Sequence, residues 1–134
     1  MLDRLILCTA DGLIVRTSSK EIVLTADVKA LSRLKTALLS TGFAFEHFGW
    51  SGRLDGDYGV FAEDGSNPLL GDNIHAERMI EGTVDYFTHD DSGNPQVLIE
   101  QALNSVDNLA WYINSIQYED DTGYIHYEWV FQVS

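Results

Sequence analysis

Apolar positions along the chain change period several times, and each change predicts an element. In the first 25 residues, RLILCTADGLIVRT and KEIVLT are short apolar runs that predict β segments, with Asp11-Gly12 as a turn between two of them. The next stretch, ADVKALSRLKTALLSTG, carries Val28, Leu31, Leu34 (or Lys35) and Leu38 at helical spacing. It predicts a helix over 26–41, capped by Thr25 and stopped at Gly42. FAFEHFGWSGRLDGDYGVFAEDG, rich in aromatics and glycine, predicts strand, loop, strand. SNPLLGDNIHAER has no period and is expected to be an exposed loop, whereas MIEGTVDYFT alternates as a strand does. Asn94 as cap and Pro95 at the first helical position then open a helix to about Asp107, with Val97, Leu98, Ala102, Leu103 and Val106 on its apolar face. AWYINSIQYE and YIHYEWVFQV flank DDTG and predict a hairpin. Its second strand turns Ile125, Tyr127, Trp129, Phe131 and Val133 to one side and Tyr124, His126, Glu128 and Gln132 to the other.

The expected fold class is therefore α+β, one domain over 1–134, with a mostly antiparallel sheet and two helices packed on one face. The expected core is Leu31, Leu34, Leu38, Val84, Tyr86, Leu98, Leu103, Ile125, Trp129 and Phe131. A chain of 134 residues that is 45% hydrophobic has the material for one such core.

Charge changes the picture more than composition does. Eight Lys and Arg stand against 21 Asp and Glu, a net −13, and every Lys or Arg lies at or before Arg78. The ten acids from Glu81 to Glu128 have no Lys or Arg among them. Such a surface repels nucleic-acid phosphates and anionic membranes, so no specific nucleic-acid or membrane binding is expected. Cys8 is single and sits in an apolar run, which predicts a buried thiol in a reducing compartment; the first residues are too lightly basic for a signal peptide, so the chain is expected in a cytoplasm.

Candidate chemistry is sparse. His89-Asp90-Asp91 lies between a strand and the next helix, and adjacent side chains on extended backbone diverge. A metal site there needs His75 or His126 from elsewhere, and turn chemistry explains the cluster better. Asp55, Asp57 and Gly59 resemble the opening of a calcium loop that is never completed. Cys8 has no basic neighbour in sequence to activate it, and neither a nucleophile elbow nor a phosphate-binding glycine motif is present. The expectation is no enzyme, no metal and no cofactor.

From about Thr25 onward, the order of segments resembles the tail terminator and tail-completion proteins of long-tailed bacteriophages. The resemblance is carried by the helix ending TALLSTGF, the strands DYGVFAED and IEGTVDYFT, the acid-rich loop, the helix PQVLIEQALNS and the hairpin INSIQYEDDTGYIHYEWVFQV. It implies a mixed α/β subunit that packs into a ring, such as a hexamer, and caps the tail tube. The ring's other face meets the head connector, and the protein passes from the host cytoplasm into the virion tail. On that reading Arg53, Leu69, Leu70, Ile74 and Arg78, in the segment Gly52 to Arg78, are expected to contact neighbouring subunits or partners. A negative lumen would keep passing DNA from sticking. The alternative is a small acidic inhibitor that mimics DNA, with its acids along one continuous face.

Overall fold

The computed structural model describes residues 26–53, 55–68 and 78–134. The predicted N-terminal β segments, the Asp11-Gly12 turn, Thr25, Cys8, Leu69, Leu70, Ile74 and His75 lie outside them. The described chain runs α1 (Ala26–Leu39), β1 (Phe45–His47), β2 (Tyr58–Pro68), β3 (Arg78–Thr88), α2 (Asn94–Asn104), β4 (Leu109–Tyr118) and β5 (Ile125–Val133). The strands form one sheet in the order β1-β2-β3-β5-β4. Only β1 and β2 are parallel, so the fold is the α+β, mostly antiparallel class that the periodicities predict.

Burial follows the two periods. On β3, Ile80, Val84 and Tyr86 are buried, and on β5 so are Tyr127, Trp129, Phe131 and Val133. They pack with Leu34 and Leu38 of α1 and Ile99 and Leu103 of α2 in a single cluster. Both helices thus cover the same sheet face. Arg33 of α1 ties this layer to the sheet by donating Nη2 to the carbonyls of Asp107 (3.2 Å) and Ser134 (2.6 Å).

The helix faces differ in phase from the expected ones. In α1 the buried stripe is Ala30, Leu34, Ala37 and Leu38, with Leu31 at its margin. Val28 stands about 200° around the helix from Ala30 and is exposed. In α2 the buried stripe is Pro95, Ile99, Ala102 and Leu103, at i, i+4, i+7, i+8 spacing, and Val106 is buried just past the helix end. That leaves Leu98, expected in the core, 42% exposed, and Val97 more so. The α2 start is also corrected: Gly93 is the cap, at φ 87, and no side chain caps the first turn. Glycine holds that left-handed conformation without the penalty a Cβ would bring. Ser92 Oγ accepts from Asn94 N at 3.1 Å, and Pro95 follows in the first turn.

The loop expected from Ser66 is shorter than its sequence suggests. β2 continues to Pro68, opposite Arg78, past an irregularity between Glu63 and Gly65. Those residues have no alternation of their own; pairing with β3 carries them into the ladder. Accordingly, Gly52 to Arg78 is not one irregular loop, since all of β2 lies inside it. Gly82 on β3 marks a close approach: a Cβ there would run into the Ala62 carbonyl oxygen and, at 2.8 Å, the Phe131 ring. Among the described residues, no helix is long and apolar enough to cross a membrane.

Candidate functional site: the helix-free face of the sheet

Alternation that sends Val84, Tyr86, Tyr127 and Trp129 to the helices sends Thr83, Asp85, Phe87, His126, Glu128 and Val130 the other way. β2 adds Tyr58 and Val60, and β4 adds Ala110 and Tyr112. Neither helix covers this face.

Its composition is divided along the strands. At one end, rings stack in register across four segments: Trp50 on Tyr58 (5.1 Å between centroids), Tyr58 on Phe87 (4.7 Å) and Phe87 on His126 (4.2 Å). Tyr58 and Phe87 are direct cross-strand partners, as are Phe87 and His126, which brings their rings together. Tyr124 closes the row edge-on to Tyr58 and Phe87 and donates its hydroxyl to the Gly56 carbonyl at 2.6 Å. It is buried there, although it faces away from the helices.

Toward the other end lie carboxylates. Asp85 and Glu128 are cross-strand partners, an arrangement that like charges disfavour. His126 relieves it: Nε2 sits 2.7 Å from Asp85 Oδ1, while Nδ1 is 3.6 Å from Glu119 at the hairpin turn. The hydrogen bond to Asp85 pushes the imidazole pKa up, burial opposes it, and the charges of Asp85, Glu119 and Glu128 add to the rise. Glu128 also accepts from Asn114 Nδ2 at 3.0 Å, and Glu81 from Gln132 Nε2 at 3.0 Å. Beside Glu81 lies an open hollow of about 310 Å³ bordered by Tyr112, Val130 and Gln132. β2 has no Lys or Arg and the sequence has none from Met79 onward, so the positions named on this face include neither. By contrast α1, on the opposite side of the sheet, carries Lys29, Arg33 and Lys35.

His89-Asp90-Asp91 is built into a turn. Thr88 Oγ1 accepts from Asp90 N (2.9 Å), and Asp90 Oδ1 accepts from Ser92 N (2.9 Å). Hydrogen bonding by the Ser92 side chain and then by its backbone N–H lowers the Asp90 pKa. His89 stacks on Tyr124 at 4.1 Å, and its backbone N–H donates to Asp57. The same Asp57 accepts from Thr88 Oγ1 at 2.6 Å, so it braces a turn. Among the described residues, no group of three or more His, Cys, Asp or Glu is placed to hold a metal ion. His126 lies in the Asp85 pair, away from the His89 turn.

Of the predicted contact residues, Arg53 is exposed and pairs with Asp55 at 3.1 Å, and Arg78 opens β3. Of the residues that organise this face, His126 and Glu128 were placed on the outward side of β5 from sequence, and Tyr58, Asp85, Phe87 and Glu119 were not singled out. The alternation of Thr83, Asp85 and Phe87 between buried neighbours was the available signal. No family model matches this sequence, and no curated protein does.

Proposed function

We propose that this chain is a ring-forming structural subunit of the tail terminator or tail-completion kind, capping a phage tail tube and meeting the head connector. The observation that carries the reading is the unequal pair of sheet faces. One is packed by helices that bear Lys29, Arg33 and Lys35. The other is covered by no helix among the described residues and is lined by Glu81, Asp85 and Glu128. A wall of that kind suits a channel for DNA, because like charge keeps the duplex from adhering. The element order, α1, strands, α2 between β3 and a final hairpin, is the order on which the resemblance rests. Neighbour contacts fall to the segment between β2 and β3, with Leu69, Leu70 and Ile74, and to Arg53 and Arg78.

Acids on adjacent strands of one face also favour the DNA-mimic reading. They suit a mimic less well, because Asp85, Glu81 and Glu128 are each engaged by a side chain of the same face. A mimic needs its carboxylates free for the partner's cations.

Sedimentation across salt concentrations, alone and with purified tails, tests the proposal. Expected are a hexamer-sized species or tail binding, both strengthened as salt screens repulsion over about 8–10 Å. A monomer under every condition that ignores tails, yet displaces DNA from a basic DNA-binding protein, would give the second reading the lead. Tail binding unimpaired by changing Leu69, Leu70 and Ile74 to Ser would remove only that segment's role.

A further inference from the structure

We propose that β4 is a pairing edge for a second copy of this chain. It stands last in the sheet, and among the described residues its only strand neighbour is β5. At ten residues it is about 34 Å long, so one row of backbone N–H and C=O groups is available along that length. Natural edge strands defend themselves with charge, proline or brevity. β4, LAWYINSIQY, has no charged residue and no proline in a protein of net −13. Three of its exposed side chains are large and apolar, Tyr112 at 57%, Ile116 at 53% and Tyr118 at 65%, and the others, Ala110, Asn114 and Gln117, are uncharged. The irregularity between Ile113 and Ser115 interrupts the strand but leaves its second half straight on to Tyr118.

Charge selects the occupant. A basic partner would gain from the carboxylates of the open face and nothing from a neutral strand. Two copies of this chain repel each other least where both are uncharged. Antiparallel self-pairing about a two-fold axis also matches each copy's backbone groups with the other's. Ile116 and Tyr118 lie on the helix side, as the partners of Tyr127 and Ile125. An axis at Gln117 sets Ile116 of one copy opposite Tyr118 of the other. The opposite edge is a poorer candidate, because β1 has three residues and Ser51 folds back to donate its hydroxyl to Glu46 at 2.9 Å.

The inference does not rest on the tail-terminator reading. A two-fold contact closes on itself and cannot alone build a ring with two unlike faces. A β4 dimer would thus be the form held away from the tail, and its presence or absence is separable from tail binding.

The experiment is sedimentation velocity on the full chain over a concentration series at low and high salt, paired with amide hydrogen exchange. A dimer that tightens with salt is expected, with β4 amides gaining protection as concentration rises. Ile116→Lys should raise the dissociation constant by about tenfold or more. Asp64→Asn changes net charge by the same +1 on exposed β2 and should leave the dimer at least as tight. Three results would overturn the proposal. One is a monomer at every concentration and salt, and another is a dimer indifferent to Ile116→Lys. The third is outward β4 amides already protected in the dilute monomer, which would mean that the chain covers its own edge.

Discussion

Trp129 sits where the two helices and the middle of the sheet meet, and removing its side chain tests the whole packing scheme. It is fully buried, lies 5.6 Å from the Tyr127 ring, and donates its indole N–H to Glu100 Oε2 at 2.9 Å. Trp129→Ala removes the apolar contacts and opens a cavity, at a cost of about 3–5 kcal/mol. Trp129→Phe keeps most of the apolar volume and loses the hydrogen bond. Bonds to charged groups are worth about 1.5–3 kcal/mol. The low end applies, because Glu100 is partly exposed, can recruit water, and keeps its bond from Gln96 Nε2 at 3.1 Å. Unfolding entropy near about 2.1 cal/mol/K per residue gives 134 residues roughly 0.28 kcal/mol/K. The alanine variant should therefore melt about 11–18 °C lower and the phenylalanine variant about 5 °C lower. Thermal and urea unfolding followed by circular dichroism measure both. An alanine variant within about 1 kcal/mol of the parent, or equal losses for the two variants, would refute the reasoning.

Three further expectations use the same assays. Ile99→Ala should cost about 2–5 kcal/mol and Leu98→Ala under about 1, since only the first faces the sheet; the reverse order would restore the sequence-based phase of α2. Gly82→Ala should destabilise by about 2 kcal/mol or more, because the added methyl meets the Ala62 carbonyl and the Phe131 ring; a neutral result would mean that β2 and β3 sit further apart. His126 has a folded pKa above its ordinary value of 6.5, so its stabilisation is fully present below 6.5 and is lost as pH rises through the folded value. The parent minus His126→Gln stability difference should shrink across that window, and a difference that grows with pH would contradict the Asp85 pairing.

The sequence was most informative where one periodicity ran without interruption. β5 alternates from Ile125 to Val133, and its buried set is the predicted one apart from the margin at Ile125. Phase was harder to read than element type. In α1, small residues, Ala30 and Ala37, face the sheet, while a search for large apolar side chains selects Val28. In α2, Val97, Leu98 and Ile99 are consecutive, and only the position of Ala102 and Leu103 decides which one turns inward. The open face was nearly illegible because it is assembled by register: Asp85 and His126 are 41 residues apart and meet only through the pairing of β3 with β5. The end of β2 was hidden for the same reason, since Pro68 becomes strand only opposite Arg78.

The strand order has a consequence for how the protein is made. β5 follows the other described elements in sequence, yet it lies between β3 and β4 and carries Trp129, Phe131 and Val133. On a ribosome, which releases the chain from its N-terminus, α1 to β4 emerge before the strand that joins them. Until then, among the described residues, the inner flank of β3 and both flanks of the uncharged β4 have no partner in the sheet. The nascent chain must therefore carry an unprotected flank of β3, and then the uncharged β4, until β5 follows. Codon choice or chaperone capture over the segment that follows Tyr118 thus has leverage on yield out of proportion to its length.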